Sequence, residues 1–170
     1  FTTLHTNDAP SAITRLIDLG VEAFLVTACL EAIVAQRLIR KICVKCKERY
    51  EPPEEVLLEL QLPAEVLQDK EFCYGKGCQN CNNSGYRGRQ AIFEIMLVTH
   101  KVKDLVMGKA STDKVRQLCR EQGMRTLRES GLLAIFDGHT TIEEVVRETL
   151  FGGVTRYLLE AAPAPLLLAH

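Results

Sequence analysis

The chain has 170 residues, enough for one compact domain or two small ones. Its 46% hydrophobic and 25% charged residues are ordinary for a globular protein, and no apolar run reaches the length of a membrane-spanning helix. A formal charge of −1 and a pI near 6.5 exclude a global electrostatic attraction to nucleic acid or anionic lipid.

Phe1–Leu4 reads as the end of a strand, and His5-Thr6-Asn7-Asp8-Ala9-Pro10 as a polar break before a helix that Asp8 or Asn7 caps. Pro10 suits the first turn of that helix, Ile13, Leu16 and Ile17 share one face, and Gly20 ends it. His5 is therefore expected at the C-terminal tip of a strand, where ligands bind in open α/β sheets. A second, largely buried helix is expected from about Glu22 to Ile42, with Cys29 as a small core residue. Arg37, Arg40 and Lys41 would then lie beside the negative end of its dipole.

The stretch from Cys43 to Cys81 carries the strongest chemical signal. Cys43-Val44-Lys45-Cys46 and Cys78-Gln79-Asn80-Cys81 are two Cys-x-x-Cys pairs separated by 31 residues. A tight turn lets each pair aim two thiolates at one point, and four thiolates at about 2.3 Å complete a closed tetrahedral zinc site. Two disulfides or one redox-active pair are the competing readings. Zinc is favoured because the chain shows no secretory leader and seven cysteines leave at least one unpaired, as suits a reducing compartment. Because the site is closed, its expected role is structural rather than catalytic. Six basic residues lie between Arg37 and Arg49, and Lys76, Arg87 and Arg89 flank the second pair. They would offset the net −2 charge of a four-thiolate site, which accounts for the local charge without a nucleic-acid partner.

Between the pairs, Glu54–Leu60 and Ala64–Gln68 show short helical patterns in an acidic stretch with few apolar residues, so metal binding is expected to supply much of its order. Asn82–Arg89 is rich in turn residues, and Ile92–Val98 reads as a buried strand. Four helices follow. One is capped by Thr99 and ends at Gly108; the next is capped by Ser111 or Thr112 and ends at Gly123, with Cys119 inward. Thr126 with Glu129, and Thr141 with Glu144, form capping boxes for the last two, the first of which ends at Gly138. Residues 151–170 read as a frayed tail. With Phe1 in place of a methionine, the chain is expected to be a piece of a longer protein.

Several strings, in fixed order, resemble one family. Thr3-Leu4-His5-Thr6-Asn7-Asp8-Ala9 resembles the second half of the histidine box of secretion-superfamily ATPases. Gln36-Arg37-Leu38, the two cysteine pairs, Gly85-Tyr86-Arg87-Gly88-Arg89, Glu94, and Gly138-His139-Thr140-Thr141 before Glu143-Glu144 continue the likeness. Over residues 1–150 the chain is thus similar to the C-terminal part of a type II secretion or type IV pilus-assembly ATPase, in the branch that carries the tetracysteine motif.

The resemblance implies an α/β fold, the remnant of a RecA-like P-loop domain. Residues 1–42 and the returning strand 90–98 would belong to that core, 43–89 to a zinc insert and 99–150 to a helical subdomain. It implies a cytoplasmic hexamer that turns ATP hydrolysis into motion, uses Mg2+, and works on an inner-membrane platform protein. Cys43, Cys46, Cys78 and Cys81 would hold structural Zn2+. His5 would face the γ-phosphate side of the nucleotide, Thr6 and Asn7 would support it, and Arg37 would approach nucleotide or a subunit edge. No G-x-x-x-x-G-K-[ST] occurs in the 170 residues, so this chain alone is expected not to hydrolyse ATP. Glu94 reads as no more than a strand-edge charge, and Cys73 is left out of the ligand set. The alternative from another class is a stand-alone zinc-ribbon module binding nucleic acid or protein, disfavoured by the near-neutral net charge, the absence of tryptophan and only 6% aromatics to stack on bases. A thiol-redox protein is the third reading.

Overall fold

In the computed structural model, which describes residues 3–60, 62–67 and 70–150, the chain is mixed α/β. In order it forms α1 (Ala9–Asp18), α2 (Ala23–Cys29), β1 (Ala32–Ile42), β2 (Lys47–Tyr50), α3 (Glu54–Glu59), α4 (Ala64–Leu67) and β3 (Phe72–Gly75). A one-turn 3₁₀ helix (Gln79–Cys81), β4 (Tyr86–Leu97), α5 (His100–Met107), α6 (Thr112–Glu121), α7 (Leu127–Phe136) and α8 (Ile142–Leu150) complete it. Strand β1 pairs with β4 and β2 with β3. Two compact units result, one from residues 3–36 and 92–130, the other from 37–91 and 131–150. Packing therefore follows a different division from chain order, and the helices after Thr99 are shared between the units.

The first unit packs Ala9 and Ile13 of α1 and Val26 of α2 with Met96, Val98, Val102, Val106, Val115 and Cys119. Its helix ends match their sequence signals. Asp8 Oδ1 accepts the Ser11 N–H at 2.9 Å, and Thr99 and Ser111 cap α5 and α6. Thr126 and Glu129 make the reciprocal capping box, with Thr126 N donating to Glu129 Oε2 at 2.8 Å and Glu129 N to Thr126 Oγ1 at 3.2 Å. Glu94 is not a strand-edge charge: it is 3% exposed, and its two oxygens accept the N–H groups of Ala9 and Leu127.

Two other expectations fail in this part of the chain. The helix expected from Glu22 to Ile42 ends at Cys29, and Ala32–Ile42 is an 11-residue strand. Apolar residues all round a helix and apolar residues on both faces of a strand give the same pattern. Here Ile33, Val34, Ile39 and Ile42, all β-branched, favour the pleated surface. Cys29 is consequently exposed at the end of a short helix, and Arg37, Arg40 and Lys41 lie on a strand with no helix dipole to answer. Thr3 and Leu4 carry no strand, since no neighbour among the described residues offers them a ladder; Phe1 and Thr2 lie outside the described residues, as does the tail from 151.

In the second unit, Leu60 and Phe72 from the cysteine-flanked stretch share a core with Leu132, Ile135, Ile142, Val145 and Val146. Phe72 meets Phe136 edge-on at 6.2 Å. That stretch thus has apolar support of its own, about 1.5–3 kcal/mol for each large side chain buried, independent of any metal. Strand β4 begins at Tyr86, inside the run read as turn, where Tyr86 Oη lies 2.8 Å from Thr141 Oγ1.

The Thr141–Glu144 capping box is only half made. Glu144 N donates to Thr141 Oγ1 at 3.3 Å, but the Glu144 carboxylate, 1% exposed, turns to Arg40. It accepts from Arg40 N at 2.8 Å and from Arg40 Nε and Nη2 at 2.9 and 2.6 Å, with Arg147 Nη2 at 2.7 Å. The same guanidinium stacks 4.1 Å over the Tyr86 ring. Removing one side of a buried ion pair is costly because the charges left behind lose their partner while still partly withdrawn from water. Glu144→Ala, which leaves Arg40 only the Tyr86 ring and Arg147 only Glu148, should therefore lower unfolding free energy by about 3 kcal/mol. Removing the exposed Arg49–Glu71 pair should cost less than about 1 kcal/mol. Urea denaturation checks both, and equal costs would contradict the ranking.

Candidate metal centre

Two short backbone devices build the site. Each Cys-x-x-Cys closes a turn, with Cys46 N donating to Cys43 O and Cys81 N to Cys78 O, both at 3.1 Å. Strands β2 and β3 then bring the turns together: β2 leaves directly after Cys46, β3 ends just before Cys78, and they pair antiparallel with Lys47 opposite Gly75. Lys76 N extends the ladder to Cys46 O at 3.0 Å. Past the second pair, Asn82 and Asn83 both take left-handed backbone (φ 51° and 58°), which turns the chain back so that Gly85 O accepts Cys43 N at 2.9 Å. Gly75 and Gly85 approach so closely that a Cβ on Gly75 would lie 2.0 Å from Gly85 O.

The outcome is a cluster of Cys43, Cys46, Cys78 and Cys81 whose sulfurs all lie within 4.8 Å of one another. Sγ separations are 3.9 Å for Cys43–Cys78, 3.8 Å for Cys46–Cys81 and 3.7 Å for Cys78–Cys81. A tetrahedron of sulfurs about 2.3 Å from a central ion has edges of about 3.8 Å, so the donor set fits one ion with no position left open. Cys73 is buried in β3 and outside the cluster.

Local hydrogen bonds already favour thiolate at two of the four positions. Asn80 Nδ2 donates to Cys43 Sγ at 3.3 Å, which lowers that thiol's pKa. Burial works to raise Cys81, but hydrogen bonds from the Cys78 and Gly85 backbone outweigh it and bring it to about 6. At Cys46 burial wins and the pKa rises to about 12. Arg87 holds Asn80 in place through its backbone oxygen at 2.6 Å and its side-chain oxygen. Three of the expected charge-balancing cations are paired with acids instead: Arg40 with Glu144, Arg49 with Glu71 and Lys76 with Glu48.

The other residues singled out from sequence stay apart from this centre. His5 is exposed in an irregular segment, Thr6 is half-buried beside it, and Asn7 is exposed in the bend before the Asp8 cap. Arg37 is half-buried on β1 and belongs to the second unit, whereas His5, Thr6 and Asn7 belong to the first. Glu94 and Glu144 were missed as buried anchors. A lone acid within an apolar strand and an acid three residues after a threonine were the available signals.

Residues 1–147 match the family described as Type II/IV secretion system protein. The chain belongs to that family. Among its relatives, the type IV pilus assembly ATPase PilB of Myxococcus xanthus is 45% identical over 148 residues, 86% of this chain and 26% of that protein. The PilB of Thermus thermophilus is 40% identical over 87% of this chain and 17% of its own length. Type II secretion system protein E of Xanthomonas campestris pv. campestris is 41% identical over 86% of this chain and 26% of its own. The chain thus spans about a quarter or less of these secretion-family relatives. No helix among the described residues is long and apolar enough to cross a membrane.

Metal uptake must expel protons wherever a ligand thiol is still protonated, Cys46 above all. Bound thiolates have depressed pKa values, so affinity is greatest at high pH and is lost as pH falls. Zinc titrated calorimetrically into the reduced chain at pH 7 in buffers of different ionisation enthalpy should show proton release, and Cys81→Ser should weaken binding by more than about tenfold. Heat independent of buffer, or unchanged affinity in Cys81→Ser, would contradict the ligand assignment.

Proposed function

We propose that this chain is the C-terminal part of a motor ATPase that powers type IV pilus assembly or type II protein secretion, with a structural zinc ion at its four-thiol centre. The observation that carries this reading is the family match across residues 1–147, joined by relatives named for pilus assembly and for type II secretion. Tetrahedral all-sulfur ligation suits zinc or iron, and the tight single-ion spacing disfavours a multinuclear iron–sulfur cluster. Zinc here stiffens the two turns and offers no site for substrate.

In this reading residues 1–42 and 90–98 complete a RecA-like core, 43–89 carry the metal, and 99–150 form a helical subdomain. The complete protein is a cytoplasmic hexamer that binds ATP and Mg2+ through a P-loop outside these 170 residues. It delivers motion to an inner-membrane platform protein, and the chain alone lacks turnover. His5 is exposed on its loop and free to approach the γ-phosphate side of a bound nucleotide. Thr6 and Asn7 flank it as donors, and Arg37 serves nucleotide or a subunit edge. A stand-alone zinc ribbon that binds nucleic acid finds no support in the net charge of −1.

The test is ATP turnover by the complete protein. His5→Ala should lower kcat by about 10²-fold with KM changed by less than about threefold, the signature of a group acting mainly in the transition state. Undiminished turnover would remove His5 from the mechanism, and a complete protein without ATPase activity would remove the motor.

A further inference from the structure

Glu94 is the buried acid in the first unit that the proposed chemistry leaves unused. Its Oε1 accepts the Ala9 N–H at 2.7 Å and its Oε2 the Leu127 N–H at 3.2 Å. Both donors are the first residues of helices, α1 and α7, where backbone N–H groups have no partner within their own helix. Two helix N-termini thus supply the positive potential that a carboxylate 3% exposed requires.

Each end of this bridge is fastened further. On the α1 side, Asp8 follows the loop that bears His5; its Oδ1 caps Ser11 and its Oδ2 takes Arg116 Nη2 at 2.8 Å. On the α7 side, the Thr126–Glu129 box closes the first turn, and Ser130 Oγ donates to Phe93 O at 2.7 Å, one residue from Glu94.

We propose that Glu94 is a positioning residue that locks the downstream end of the His5 loop and the first turn of α7 into one cooperative element. Whatever loosens one then loosens the other. Any bearing on nucleotide rests on the reading of His5 above, whereas the coupling itself requires no nucleotide.

A double-mutant cycle read by amide hydrogen exchange of the zinc-loaded 170-residue chain tests it without ATP. Glu129→Ala opens the α7 box and releases Arg120 of α6, while Glu129 itself bonds nothing on the His5 loop. With Glu94 present it should speed exchange at Ala9 about tenfold along with Thr126 and Leu127, leaving Val102 and Val106 unchanged. Glu94→Gln keeps the shape but has one acceptor oxygen where two N–H groups must bond. In that background Glu129→Ala should no longer move Ala9. The proposal is overturned if Ala9 ignores Glu129→Ala while Leu127 accelerates. It is equally overturned if the Ala9 response survives Glu94→Gln undiminished, or if every amide of the unit speeds up alike. Because His5→Ala turnover is measured separately, a failed motor reading and a failed coupling are distinguishable.

Discussion

Four sulfur atoms drawn from two distant turns to within one ion's reach set the geometry of the second unit. Thirty-one residues lie between the pairs, and closing so long a loop is entropically unfavourable until something rewards it. The β2–β3 ladder and the Gly75–Gly85 contact make the closure geometrically possible, and an ion held by the four sulfurs would strengthen it. The core of Leu60 and Phe72 against the helices after Gly131 fixes the loop's far end. The apolar core thus supports a segment whose composition alone pointed to metal.

Buried carboxylates organise what the cysteines do not. Glu94 and Glu144 are almost fully enclosed, and each finds donors in backbone N–H groups or guanidinium far away in sequence, Glu144 adding the nearby Arg147. The physical requirement is the same in both places: a desolvated charge must be met by hydrogen bonds or cations, so wherever the fold encloses an acid it also gathers partners. Such residues join elements as firmly as a hydrophobic contact and with more directional constraint.

Local chemistry was the legible part of the sequence. The caps Asp8, Thr99 and Ser111, the Thr126–Glu129 box and the tight turn of each Cys-x-x-Cys depend on residues within a few positions of one another, and each was among the positions the sequence offered. What sequence left hidden depends on partners far along the chain. Ala32–Ile42 becomes a strand because β4 is there to pair with it, and β2 and β3 exist because they pair with each other. Phe72-Cys73-Tyr74, aromatic and short, was the available sign of β3. Glu94 and Glu144 gave no local hint of their distant donors, and the capping-box pattern at Thr141 concealed a carboxylate committed to Arg40 instead.

The central claim is that Cys43, Cys46, Cys78 and Cys81 enclose a single ion with nothing else in its coordination sphere. Zinc K-edge absorption fine structure on the reduced protein, purified without added metal, measures that sphere directly. The account predicts one shell of four sulfurs at about 2.3 Å and no nitrogen or oxygen neighbour. A shell containing oxygen or nitrogen, a sulfur count near two, or protein that carries no zinc would contradict it.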